Sequence, residues 1–337
     1  MPIAFLHPCL DFSKRLLSMQ MAKSLSSNAF LMPTVLLVSL LCLSSVQALT
    51  FHPRMDQAKW LSDSHVLQCQ LTQPIPSFGR AVFDASAGQP LRFYLQSVSS
   101  AMSQGQAMLQ SEAPTWNPAL ATVNLGSVKV IKGDTPVNLD ASLADQLLNE
   151  LYLGKSPHFV RGGNYSAARS EEPLVDAEQA RKMDVPTIKV GLSSVHFRAA
   201  YSQYLQCLEQ LMPVGFEQLS RSRVYFDADK WQLSVKTMDW LNTIVRYVQA
   251  DTEVKQLYVD GYTDDLRSGS YNSQLSKKRA EAVAAYLVEK GISAEQVTTR
   301  FHGERFPVAT NKTAEGRSTN RRVTIRLDKL GAAISQR

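Results

Sequence analysis

Residues 261–283, GYTDDLRSGSYNSQLSKKRAEAV, decide how the last third of this chain of 337 residues folds. Ahead of them Leu257, Val259 and Gly261 alternate with Gln256, Tyr258 and Asp260, the period-two pattern of a half-buried strand. Ser268, Gly269 and Ser270 read as a loop. A helix is expected from Asn272 to Glu289, closed by the basic Lys290 and a C-cap at Gly291. Leu275, Val283 and Leu287 share one face of that helix, and Arg279 stands in the middle of the same stripe. An unpaired guanidinium buried there costs on the order of several kcal/mol, so it needs an anionic partner. The spacing allows two readings. One is an internal ion pair with Asp264 or Asp265. The other is a cleft in which Asp264 takes an ammonium while the Arg279 fork grips a carboxylate.

Around this core the pattern is α/β. A strand is expected at 223–226 and a helix at 234–249, with Val235, Met238, Leu241, Val245 and Val248 inward. A strand at 297–302, a short helix at 313–319 and a last strand at 323–327 follow. Strand, helix and strand across 257–302 imply a right-handed crossover between parallel neighbours. Gly261, Thr263, Asp264, Asn272, Leu275, Ser276, Arg279 and Ala280, with Asn320-Arg321-Arg322-Val323 ahead of the last strand, fall at the spacings of a known family. Over about 223–328 the chain resembles the OmpA-like peptidoglycan-binding domain. The resemblance implies that Asp264 and Arg279 hold the diaminopimelate residue of the cell-wall stem peptide. It implies a peptidoglycan-binding set of Asp264, Arg279, Asn272, Leu275, Thr263 and Arg322, with the 226–228 backbone, Phe226, Asp227 and Ala228, also touching ligand. Tyr262 departs from the His or Asn common at its position.

Working toward the start, residues 31–46 form an apolar run after Lys23, with the small residues Val46 and Ala48 ahead of a cleavage point. Residues 1–48 read as a secretory signal, with Met19 or Met21 as a candidate start. Leu41 before Cys42 argues against a lipid anchor. Beyond the leader Cys69 and Cys207 remain, either one disulfide in an exported chain or two separate buried thiols. Short strands are expected at 66–71, 80–83, 91–98, 107–110, 123–131 and 187–192, with Gly, Pro and Asn at the joints. Asp140 caps a helix carrying Leu143, Leu147, Leu148 and Leu151, which Gly154 stops. Residues 162–172 read as an exposed loop. A helix at 195–211 places Phe197, Tyr201, Leu205, Leu208 and Leu211 on one face and ends at Pro213. A Cys69–Cys207 bridge would pin that helix back onto the first strand.

Residues 69–79, CQLTQPIPSFG, then Ala81-Val82-Phe83, Gly191-Leu192-Ser193-Ser194-Val195, Phe197, Tyr201 and Cys207 carry a second resemblance. This half is similar to the N-terminal domain of the MotY family, T-ring proteins of sodium-driven flagellar motors whose C-terminal half is also OmpA-like. The expected fold class is therefore two-domain. A β-rich, disulfide-stapled N-terminal domain at 49–213 precedes an α/β OmpA-like domain of βαβαβ type at 214–330 and a tail at 331–337. The resemblance implies a periplasmic protein at the flagellar basal body, with a MotX-like protein as partner and the stator complex engaged indirectly.

The chemistry left over argues against an enzyme. The formal net charge is +6, from 36 Lys and Arg against 30 Asp and Glu, without a basic run, which points away from nucleic acid. His52, His65, His158, His196 and His302 show no metal-ligand spacing. There is no phosphate-cradling loop and no GxSxG elbow, and the adjacent Asp264 and Asp265 make a poor acid–base pair. No catalytic residue, cofactor or metal is expected. The rival readings are an outer-membrane β-barrel with a peptidoglycan-binding domain and a wall-lytic enzyme with an OmpA-like anchor. Against the barrel, a lipid-facing strand needs about 9–11 residues, and the strands here are short.

Overall fold

The computed structural model describes residues 49–98, 102–114, 117, 119–161 and 187–329; the expected leader, the 162–172 loop and the 331–337 tail lie outside them. The first half builds β1 (Leu49–Phe51), β2 (Leu61–His65), β3 (Gln68–Ile75), β4 (Gly79–Ser86) and β5 (Arg92–Ser97). It continues with β6 (Gly105–Glu112), β7 (Val123–Val130), β8 (Val137–Leu139), β9 (Ser156–Arg161) and β10 (Ile188–Gly191). Among the described residues two helices accompany them, α1 (Ala141–Tyr152) and α2 (Phe197–Gln210). All ten strands form one sheet, ordered β1-β10-β9-β6-β7-β8-β5-β4-β3-β2. Only the β1–β10 pairing is parallel.

Alternation drives this half. Along β3, Cys69, Leu71, Gln73 and Ile75 are buried while their neighbours turn outward. Trp60, Phe83, Phe93, Phe159 and Phe197 fill the core, Trp60 meeting Phe197 edge-on at 5.1 Å. The strand expected at 66–71 is instead the hairpin β2–β3, and β3 runs on through Pro74. That is tolerated because β2 pairs β3 only as far as Thr72, so Pro74 lies where one side of the strand is already an edge. The strands β8 and β9 have no counterpart in the sequence reading.

Asp140 caps α1 as expected, accepting from the Leu143 amide at 3.1 Å. The face expected for the 195–211 helix shifts. Phe197, Ala200, Tyr204 and Cys207 are the buried stripe, and Leu205 is 42% exposed. The disulfide is the reason: Cys207 is bonded to Cys69 with Cα atoms 5.9 Å apart, which turns the 197/200/204/207 row of α2 toward the sheet.

The second half comprises α3 (Phe216–Leu219), β11 (Arg221–Tyr225), α4 (Val235–Ala250) and β12 (Val254–Gly261). It ends with α5 (Gly269–Glu289), β13 (Val297–Phe301), α6 (Ala314–Asn320) and β14 (Arg322–Lys329). The sheet order is β11-β14-β12-β13, with β12 and β13 parallel across the α5 crossover, as the pattern predicts. Leu241, Ile244 and Val248 of α4 and Ala280, Val283 and Leu287 of α5 cover one face against Val224, Leu257, Val259, Val323 and Ile325. Val235, expected inward, opens α4 and is 71% exposed. The helix α5 starts three residues before Asn272, because Ser268 caps it and accepts from the Tyr271 amide.

The two cores are joined through a seated connection. The Met212 amide donates to Val66 O at 2.9 Å, and Gln218 Nε2 donates to Gly88 O at 2.9 Å. A Cβ on Gly215 would stand 2.1 Å from Ala87 O, so the chain past Pro213 lies directly against the β4–β5 turn. Leu67 and Ala87 of the first half pack into the second core, and Leu211 touches both.

Candidate functional site at the strand ends

The site forms where β11, β12 and β13 end. Gly261 closes β12, and a Cβ there would lie 2.1 Å from Ser276 O, so only glycine lets β12 pass this close to α5. Ser276 Oγ then accepts from the Gly303 amide at 3.0 Å, and the Thr263 amide donates to Gly303 O at 2.9 Å. The loop after β12 is thereby tied to the loop after β13.

Arg279 reaches from α5 beneath both loops and is 0% exposed. Its Nε donates to Lys230 O at 2.8 Å, Nη1 to Tyr262 O at 3.1 Å and Nη2 to Asp227 O at 2.9 Å. The guanidinium also lies over the Phe226 ring, 5.2 Å from its centroid. Burial pulls its pKa down to about 10, against the opposing pull of Asp264, so it stays charged at neutral pH. Three of the five guanidinium hydrogens are spent on carbonyls, which leaves one on each terminal nitrogen.

Asp264 is buried, and its Oδ2 accepts from Arg321 Nη1 at 3.0 Å. Arg321 also donates from Nε to Phe226 O at 3.1 Å. The internal ion pair therefore exists, but with Arg321 and not Arg279. Thr263 Oγ1 and Asn272 Oδ1 are buried without hydrogen-bond partners, while Asn272 Nδ2 donates to Arg267 O and to the Glu304 carboxylate. Leu275 is buried on α5, one turn before Arg279.

Asp227 supplies its carbonyl to Arg279, and Ala228 follows it in the exposed loop. Arg322 is placed apart. It is buried, donates to Phe306 O at 3.0 Å and lies 3.9 Å over the Tyr262 ring. Asp229, at φ +56°, takes both Nε and Nη2 of Arg267 at 3.3 and 2.6 Å and so clamps the 226–232 loop to the loop before α5. The Arg267 hydrogen bond holds the Asp229 carboxyl below its usual range.

Beside these groups opens a cleft of about 410 Å³, lined among others by Tyr225, Phe226, Asp227, Lys230, Ser318 and Arg321. Arg321 is the residue that the sequence reading did not nominate. Its signal was the Asn320-Arg321-Arg322 run, in which two adjacent arginines diverge as the chain enters β14. The arrangement offers two free guanidinium hydrogens, two unpartnered oxygens and a carboxylate, a donor and acceptor set suited to a small zwitterionic group.

The family model of the OmpA family matches residues 225–321, the segment that builds this site. That of the MotY N-terminal domain matches residues 51–213. Over 309 residues, 89% of this chain and 98% of the relative, the sequence is 27% identical to the sodium-type flagellar protein MotY of Vibrio parahaemolyticus. It is 37% identical over 137 residues to the outer-membrane lipoprotein YfiB of Pseudomonas aeruginosa, covering 41% of this chain and 79% of that one. The crystal structure of the peptidoglycan-associated lipoprotein from Burkholderia pseudomallei is similar with 27% identity and a TM-score of 0.30, over 32% of this chain and 89% of that one. The second half is an OmpA-family domain. The whole chain is a MotY-type protein, a MotY N-terminal domain followed by that OmpA domain.

Proposed function

We propose that this is a non-enzymatic structural protein of the flagellar motor that ties a basal-body ring to peptidoglycan and supports stator engagement. The wall-binding part rests on one observation above all: Arg279 spends three guanidinium hydrogens on carbonyls and keeps one on each terminal nitrogen, and in the same strand-end region Thr263 Oγ1 and Asn272 Oδ1 are buried without a partner. Buried polar groups left open in a folded domain call for an explanation, and a ligand that completes them is the one this reading adopts. A diaminopimelate residue brings the carboxylate for Arg279 and the ammonium for Asp264. The flagellar part rests on the similarity to the MotY of Vibrio parahaemolyticus, whose whole length is matched. The first half then docks the basal body in the periplasm beside a MotX-like protein, and the second half is the anchor.

The membrane-barrel alternative fits poorly. Strands of three to eight residues are shorter than a span requires, and β3 turns its apolar side chains inward and its polar ones outward. Co-sedimentation of the chain with purified sacculi tests the anchor: Asp264→Asn should stay folded and lose binding. Unchanged binding by that variant rejects the pocket. A fluorescent fusion tests the address, and residues 49–213 should mark the flagellar base without the anchor. Scattering of that fragment, with the second half alone finding the base, reverses the domain roles.

A further inference from the structure

The helices α4 and α5 cover one face of the second sheet, and the opposite face is not apolar. Register places its side chains in rows. Arg221 stands opposite Arg326, which stands opposite Tyr258; Arg223 stands opposite Thr324, then Asp260 and Arg300; Tyr225 stands opposite Arg322. Asp260 is already used, by both arms of Arg300 at 2.6 and 2.9 Å and by His302 at 3.0 Å. Arg221, Arg223 and Arg326 have no carboxylate partner among the described residues. Arg221 and Arg223 are exposed, and Arg326 lies 4.5 Å over the Tyr258 ring. Like charges set directly opposite across a sheet are destabilising unless an anion sits between them. Arg223 adds to the effect: burial depresses the pKa of Arg322, Tyr262 opposes it, and the like charge of Arg223 lowers it further.

This face is continuous with the cleft. Tyr225, 50% exposed, lines the cleft and also ends the third row, and Arg223 lies two residues before it on β11. We propose that Arg221, Arg223 and Arg326 form a second, electrostatic subsite for the same wall polymer, taking free carboxylates of stem peptides next to the one held at Arg279. The inference rests on the wall-binding reading above. Charge complementarity favours this occupant: stem peptides carry free carboxylates, which match the planar guanidinium forks. A single captured residue raises the local concentration of its neighbours, so weak contacts on the sheet add to the affinity for polymer and not for monomer.

The test uses the full chain and a variant carrying Arg221→Gln, Arg223→Gln and Arg326→Gln, all away from the pocket. Binding of a soluble monomeric muropeptide containing diaminopimelate should be unchanged. Affinity for intact sacculi at low salt should fall on the order of tenfold, and its salt dependence should flatten, because exposed ion pairs are screened. The corresponding triple lysine variant should keep part of the salt dependence. Equal sacculus affinity and equal salt slope in wild type and the glutamine variant overturn the proposal. So does loss of binding to vesicles of anionic phospholipid with sacculus binding intact, which would assign the face to a membrane. If the wild type fails to bind monomer yet shows the arginine-dependent sacculus term, the pocket reading falls and the sheet subsite stands.

Discussion

Asp264 and Arg279 are both buried at the strand-end site and do not pair with each other: Arg321 takes the carboxylate at 3.0 Å, and three backbone carbonyls take the guanidinium. The two charges are thus compensated by different kinds of partner. Asp264 has a side-chain partner, Arg321, whose place a ligand ammonium can take. Arg279 has fixed partners that a ligand carboxylate can only join. The two residues should therefore respond differently to substitution.

Arg279→Ala should unfold the second half more readily, by about 3 kcal/mol or more, since it removes a fully buried side chain and leaves three backbone carbonyls without their donor. Asp264→Asn should cost far less, because Arg321 retains Phe226 O. Thermal denaturation of both variants, read beside sacculus binding, checks this. Equal melting temperatures for the two would contradict the assignment of Arg279 as a structural as well as a ligand group.

Gly261→Ala should destabilise the domain by at least ~2 kcal/mol, as its Cβ meets Ser276 O at 2.1 Å and forces β12 from α5. Gly269→Ala is the control. Its Cβ would meet nothing nearer than 4.0 Å at the first turn of α5, so stability should hold or rise by up to ~1 kcal/mol. Denaturant titration of the pair separates crowding from helix propensity.

Replacing Cys69 and Cys207 together by serine removes a cross-link between residues 138 apart. In the chain-entropy view that costs about 5 kcal/mol, and less if the native bridge is strained. The effect should fall on the first core, which holds both sulfurs. A mobility shift on reduction, absent from the double variant, reports the bond; free thiols in the denatured, non-reduced chain would refute it.

Acid should weaken the two cores in separate pH windows. Burial, with Lys189 adding to it, takes His158 from 6.5 down to about 4, and Glu112 opposes; His52 stacks on the same ring. The unfolded chain takes up this proton below 6.5 and the folded one only near 4, so the first core loses stability across that interval. For Asp260, burial raises the carboxyl but the bonds from Arg300 and His302 outweigh it, leaving it below 3.8. Its contribution is complete above that value and is lost as pH falls further. Melting curves from pH 7 to 3 should show the first core yielding earlier, and His158→Gln should flatten its upper window.

Periodicity was enough for the α/β order of the second half and the stripe that buries Arg279, and the Asp140 cap was equally legible, because each is a local property of spacing. Of the candidate site's residues Phe226 and Asp227 line the cleft while Asp264 and Arg279 do not, and the set was legible as a spaced motif. The partners were not: Arg321 joins Asp264 across 57 residues, and the carbonyls of Asp227 and Lys230 meet Arg279 from another loop. A backbone carbonyl carries no mark in the sequence, so an arginine satisfied by carbonyls reads as one in want of a carboxylate. In the same way hydrophobic spacing put Leu205 on the inner face of α2, whereas the row that carries the bonded Cys207 and the Phe197 packed on Trp60 faces the sheet, so Tyr204 is buried and Leu205 faces out. The sequence by itself determined which elements exist and which charge lies among apolar neighbours. Tertiary structure alone decided what compensates that charge, and left Arg221 facing Arg326, because strand register is a long-range property that no local spacing encodes.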